Sequence, residues 1–129
     1  MGSLEVSLVA VDRPIWQGTA TGVIARSVVG DIGILPGHEP YLALLADGVL
    51  RIDKSEGPPM YVAVHEGFFS VYNDVVKILA ETAEMATEID VERAKIAKQR
   101  AIDAGADDPD EIAAIRRAET RIDVAMRLR

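Results

Sequence analysis

The alternation of polar and apolar residues changes its period once along the chain, near Glu84. Before that point the apolar positions recur every second residue over short runs. Leu4, Val6, Leu8 and Ala10 alternate with Glu5, Ser7 and Val9, the period of a half-buried strand. Asp12-Arg13-Pro14 interrupts that run. Further strands are predicted at 20–26, 32–35, 41–45, 49–53, 60–65, 68–72 and 75–80. Turn signals lie between them: Gly18, Val29-Gly30, Asp47-Gly48, Gly57-Pro58-Pro59, Glu66-Gly67 and Asn73-Asp74. The stretch around Gly57-Pro58-Pro59 reads as a hairpin tip. Short strands with turns at this spacing predict an antiparallel sandwich or barrel.

Beyond Glu84 the β-branched residues thin out and Ala, Glu, Lys and Arg replace them. Asp90 is placed to N-cap a helix that begins at Val91, and Gly105 to end it. Ala94, Ala97, Ala101 and Ala104 form a narrow stripe of small residues. Asp108-Pro109-Asp110-Glu111 reads as a capping box with proline at the first helical position. The second helix is predicted to reach about Arg127, with Ile115, Ala118, Ile122 and Ala125 on one face. The predicted fold class is therefore β followed by α: an N-terminal antiparallel β-sandwich over 1–86 and a C-terminal antiparallel two-helix hairpin over 87–129. An alanine seam buries little area at roughly 25 cal/mol per Å². Such a hairpin needs a partner surface, either the β-domain or another protein, and a weakly held arm can move.

Composition narrows the function. The chain has 129 residues, no cysteine and a net charge of -7. Disulfides and thiolate metal sites are excluded, and nucleic acid is not expected as a main partner. Residues 1–86 carry eleven acids and five bases, and residues 87–129 carry ten and nine, so the excess negative charge lies in the first part. No run approaches the roughly 18 apolar residues of a membrane span. The N-terminus lacks the basic and apolar regions of a secretion signal. Of the two histidines, His38 and His65, neither belongs to a metal-ligand spacing. The serines lack a nucleophile-elbow context, and no phosphate loop occurs, so neither catalytic residues nor a metal site is expected. Trp16, beside Ile15, reads as a packing or interface residue.

Three segments carry a resemblance. The first, Gly30-Asp31-Ile32-Gly33-Ile34-Leu35-Pro36-Gly37-His38-Glu39-Pro40, is a rigid turn-strand-turn with an acid and a histidine. The second is Val64-His65-Glu66-Gly67-Phe68-Phe69-Ser70-Val71. The third joins Leu79-Ala80-Glu81-Thr82-Ala83-Glu84 to Ile89-Asp90-Val91-Glu92-Arg93-Ala94-Lys95. Together they resemble the epsilon subunit of bacterial rotary ATP synthases, over almost the whole chain. The resemblance implies a non-catalytic subunit of a proton-translocating ATP synthase, bound peripherally at the cytoplasmic face of the plasma membrane without inserting into it. It implies three partners: the gamma subunit of the central stalk, the membrane c-ring, and the alpha/beta catalytic head reached by the C-terminal helices. It places Asp31 and His38 at ring and stalk contacts; read as residues alone, they are an ordinary turn acid and turn histidine.

The resemblance also implies that the hairpin regulates ATP hydrolysis and takes ATP as a regulatory ligand, with no required cofactor. Glu84, Asp90, Arg93, Arg100 and Arg121 are the positions it assigns to ATP. Arg93 and Arg100, seven apart, share nearly one helical face about 10 Å apart along the axis, a spacing suited to gripping polyphosphate. Alternatively they form a solvated face paired with Glu92 and Asp103. The second helix departs from the family pattern: Val124 and Leu128 stand where ATP-binding members present arginines, with Arg121 and Arg127 close by. Arg116, Arg117 and Arg121 can instead meet acidic segments of the catalytic subunits. The alternative from another class is a small ligand-binding sensor, a β-sandwich with a helical lid.

Overall fold

The computed structural model describes residues 2–105 and 107–127. Seven strands occupy the first two thirds: β1 (Leu4–Ala10), β2 (Pro14–Ser27), β3 (Gly30–Ile34), β4 (Tyr41–Leu45), β5 (Gly48–Lys54), β6 (Met60–Tyr72) and β7 (Val75–Met85). A single 3-10 turn, Ala86–Glu88, leads into α1 (Val91–Gly105) and α2 (Pro109–Met126). The strands make a sandwich, antiparallel except for the parallel pair β1–β7.

Two long strands make the sandwich continuous. The first half of β2 pairs with β1 and the second half with β3 and β5. Likewise β6 pairs with β5 over Met60–Val64 and with β4 over Gly67–Val71, while β7 follows it throughout. Each long strand thus serves both layers. This corrects two sequence expectations. Gly18 is not a turn but a point within β2, where the Trp16 ring lies so close that a Cβ would meet it at 2.5 Å. Glu66-Gly67 is not a turn either, because β6 runs through it without a change of register. Gly67 adopts φ +130 with Leu79 O only 2.0 Å from where a Cβ would stand. The backbones of β6 and β7 therefore approach one another in a way only glycine permits. The glycine marks a close approach, and a local reading of the dipeptide mistakes it for a turn.

The core is aliphatic. Leu4, Leu8, Ile34, Leu50, Ile52, Phe69 and Ile78 are fully buried between the layers, with Trp16 packed partly against them. At about 1.5–3 kcal/mol per large side chain, these residues dominate the stability of the β-domain.

The arm forms as the capping residues predict. Asp90 Oδ1 accepts the Arg93 amide at 3.1 Å, and Asp108 Oδ1 accepts the Asp110 amide at 2.8 Å with Pro109 at the helix start. The second arm of a capping box is not formed at Asp108, whose own amide donates to Gly105 O. The alanine stripe is only half right. Ala94 and Ala101 are buried, but Ala97 and Ala104 are exposed, because only a single narrow line of α1 meets α2. On α2 the buried residues are Ala118, Thr120, Val124 and Ala125, and Ile115 and Ile122 are half-buried. Val124 enters a small second core with Ala63 and Ala86, flanked by Val49, Tyr61 and Ile89. So α2 lies on β5 and β6, and α1 lies on α2.

Candidate functional site

Three features of the surface stand out: a cleft inside the arm junction, a charged groove beside α2, and an apolar row on the far sheet face.

The cleft, about 310 Å³, is lined by Glu84, Glu88, Asp90, Arg93, Ala94, Ala97 and Arg121. Four residues singled out from the sequence, Glu84, Asp90, Arg93 and Arg121, meet here although the chain separates them by up to 37 positions. Strand β7 supplies Glu84, the start of α1 supplies Asp90 and Arg93, and the middle of α2 supplies Arg121. Arg121 donates through Nε to Glu84 Oε1. Glu88, in the lining, ties the junction to the β1–β2 connection, accepting from the Met85 amide and, through both oxygens, from Arg13 Nη2 at 2.9 and 3.2 Å. Its carboxyl is held below the usual carboxylate value, first by the Met85 amide and then, against desolvation, by Arg13. Glu92 pairs with Lys95 and Asp103 bonds Gln99, so neither of the expected acids holds Arg93 or Arg100. Arg100 is exposed and outside the lining of the cleft.

The departures on α2 have a structural meaning. Val124 is fully buried against the sheet, turned away from the cleft. Arg127 does not stand in for it. Its guanidinium lies 5.8 Å from the Tyr61 ring centre, on the other side of the helix, in the charged groove. Leu128 lies outside the described residues.

The groove measures about 550 Å³ and runs between α2 and strands β2, β3 and β5. Asp31 is here. It receives Arg26 Nε at 3.0 Å and Nη2 at 3.4 Å, a pairing that lowers the Asp31 carboxyl and raises the Arg26 guanidinium. Arg51 and Arg127 flank Tyr61. His38 lies elsewhere, in a shallow surface cleft with Tyr72, Asn73 and Asp74. Its Nδ1 is 2.6 Å from Glu39 O and its ring meets Tyr41 edge-on. Gly37 donates to Asp74 Oδ1 at 2.7 Å, tying that loop to the β6–β7 turn. Asp31 and His38, which the resemblance places at ring and stalk contacts, belong to two separate surfaces.

Sequence reasoning missed the apolar row. Leu44 of β4 stands opposite Phe68 of β6, Phe68 opposite Leu79 of β7, and Leu79 opposite Val9 of β1. Their exposures are 62%, 44%, 36% and 36%. At about 4.8 Å per strand these four side chains make a continuous apolar line across the sheet. Leu42, 70% exposed, lies beside it. Monomeric proteins rarely leave such a line open to water. The signal was present in β4 itself: Tyr-Leu-Ala-Leu-Leu has apolar residues on both faces, the mark of a strand covered on both sides.

Among the described residues no group of three His, Cys, Asp or Glu side chains is placed to hold a metal, and no helix is long and apolar enough to cross a membrane.

Comparison with known proteins places the fold. Residues 3–86 match the family model for the beta-sandwich domain of the ATP synthase delta/epsilon chain. The ATP synthase epsilon chain of Streptomyces griseus subsp. griseus is 50% identical over 119 residues, 92% of each chain. That of Streptomyces coelicolor is 43% identical over 122 residues, 95% of this chain and 94% of the relative. In the Euglena gracilis mitochondrial ATP synthase, a structure of OSCP, F1 and c-ring, one chain superposes with a TM-score of 0.75 at 28% identity, covering 99% of this chain and 80% of its own length. A chain of the Tetrahymena thermophila central stalk and c-ring shares the fold at TM-score 0.65 and 14% identity, covering 98% of this chain and 96% of that one. With a matching sandwich and relatives aligned over more than nine tenths of the chain, the chain belongs to the ATP synthase delta/epsilon family, as an epsilon chain and not a catalytic subunit.

Proposed function

We propose that this epsilon chain couples the gamma shaft to the c-ring and restrains ATP hydrolysis through its helical arm, in a proton-translocating ATP synthase at the cytoplasmic face of the plasma membrane. The observation that carries the coupling role is the row Leu44–Phe68–Leu79–Val9. It is a preformed, rigid, apolar strip on the sheet face away from the helices, suited to an apolar strip of a long stalk subunit. Phe68→Glu leaves the fold intact, since the side chain is already half in water, and abolishes co-purification with gamma. Undiminished co-purification of that variant removes the assignment of this face. A stand-alone ligand sensor would not co-purify with a stalk subunit or a membrane ring at all.

The regulatory role is supported by how the arm is attached. Among the described residues it is held to the sandwich by a small core around Val124, the ion pairs Arg121–Glu84 and Arg13–Glu88, and Arg127 over Tyr61, and a segment held this lightly opens at low cost. Extended beside gamma, α2 would present Arg116, Arg117 and Arg121 to acidic segments of the catalytic head. Deleting residues 88–129 raises ATP hydrolysis by the assembled enzyme and leaves synthesis in place. Equal hydrolysis with and without the arm overturns the inhibitory role.

ATP acts, in this reading, by differential affinity for the compact arm. The cleft supplies Arg93 and Arg121 for phosphate and Asp90 for a base amine, and closes only when α1, α2 and β7 are together. Its 310 Å³ is near the lower limit of a small-molecule site, and Arg121 must leave Glu84 to reach a phosphate. Calorimetry on the isolated chain at millimolar ATP tests this: heat of binding lost in Arg93→Ala supports the site, and no heat in the unaltered chain refutes it.

A further inference from the structure

A histidine is buried where the arm meets the sandwich. Alternation along β6 sends Val62 and Val64 into the main core and puts Tyr61, Ala63 and His65 on the opposite face. That is the face α2 covers, since Ala63 packs against Val124. His65 is 3% exposed. Its Nδ1 lies 3.5 Å from Asp47 Oδ1, in the turn between β4 and β5, a long contact and not a hydrogen bond. Both ring nitrogens and that carboxylate oxygen are buried without a hydrogen-bond partner among the described residues. Buried polar groups are nearly always paired, so this histidine and carboxylate stand out under the arm.

We propose that His65 is a proton-operated latch for the arm: α2 docks over the neutral imidazole, and protonation of the ring releases it. The proposal rests on the reading of the arm as detachable. The charged and polar groups around the ring come from every neighbouring element. Asp47 faces it from the turn, Glu84 and Thr82 from β7, and Arg121 from α2. Burial lowers the imidazole's proton affinity most. Asp47 opposes that, Arg121 adds to it, and Glu84, engaged by Arg121, opposes it again. A protonated ring would also compete with Arg121 for Glu84, whose ion pair with Arg121 joins β7 to α2.

The sign follows from linkage. A base whose docked pKa is lowered is docked at full strength above its ordinary value, about 6.5. Docking weakens as pH falls through that value and reaches its minimum below the lowered one. Acidification therefore favours the released arm.

The test uses the full chain. Amide exchange of α2, corrected for intrinsic rates, is followed between about pH 7.5 and 5.5, across the histidine range, with the His65 ring titration recorded by NMR. The expected result is that α2 exchange rises severalfold, that His65 titrates below the ordinary histidine value, and that His65→Gln abolishes the pH dependence. The latch is overturned if His65 titrates at or above the ordinary value, or if His65→Gln keeps the full pH response. Arg121→Ala separates the two readings. If it speeds α2 exchange at every pH while acid does nothing to the unaltered chain, the arm detaches but His65 is no latch. If neither change speeds exchange, the arm does not detach and both readings fall.

Discussion

Phe69, Leu4, Leu8, Ile34, Leu50, Ile52 and Ile78 are the large side chains buried in the sandwich, whereas the arm buries Ala94, Ala101, Ala118, Thr120, Val124 and Ala125. The contrast is energetic. A buried leucine or isoleucine contributes about 1.5–3 kcal/mol and each alanine methyl about 0.8 kcal/mol. The arm makes up part of the difference with ion pairs: Arg121–Glu84 to the sheet, Lys98–Glu119 between the helices and Arg127–Asp123 within α2. Partly exposed pairs of this kind contribute about 0–1 kcal/mol each. One region thus rests on a large aliphatic core, and the other on small side chains and partly exposed ion pairs.

The largest effect tests the rigid half. Gly67→Ala places a methyl 2.0 Å from Leu79 O at φ +130. Neither backbone can retreat without breaking the β6–β7 ladder. We expect a loss of about 4 kcal/mol or more, seen as a collapse of the urea midpoint or as failure to fold. If Gly67→Ala unfolds at the normal midpoint, the close approach of the two strands is not what stabilises the sandwich.

A smaller effect should stay within the arm. Val124→Ala removes the aliphatic group that packs α2 against Ala63 and Ala86. The cost is about 2 kcal/mol. If the two regions are as unequal as their cores, amide exchange speeds up across α1 and α2 while the sandwich midpoint is unchanged. A cooperative loss of both would show that arm and sandwich are one folding unit.

What could be read from the sequence follows the same divide. Period-two alternation located the strands, and Asp90, Gly105, Asp108 and Pro109 located both helices, because those signals act within a few residues. Glu84, Asp90, Arg93 and Arg121 were named together through the family resemblance and not through a local signal, and Arg100, named with them, lies outside the cleft. Gly67 was misread because a glycine in a close approach looks like one in a turn until its neighbour strand is known. Ala97 and Ala104 were misassigned because a helical stripe shows which residues could be buried, not how wide the contact will be. The apolar row and the place of His65 depend on which sheet face the helices cover. Nothing local encodes that choice.

The smallest effect lies at the junction between the two regions. Glu88 joins the 3-10 turn to the β1–β2 connection through Arg13, and to the end of β7 through the Met85 amide. It is partly exposed, so solvent screening limits its contribution to less than about 1 kcal/mol. Its folded pKa is lowered, so that contribution is fully present above the ordinary glutamate value of about 4.3. It is lost as pH falls through the lowered folded value. The acid range for Glu88 lies below the histidine range of the latch, so the two can be resolved in one titration. Glu88→Gln should speed amide exchange at 86–91 slightly at neutral pH, and the variant and the unaltered chain should converge in acid. If they differ equally at every pH, the junction is held by the shape of the side chain and not by its charge. The arm would then pivot on packing alone, and the division between a rigid half and an electrostatically fastened half would end at residue 85.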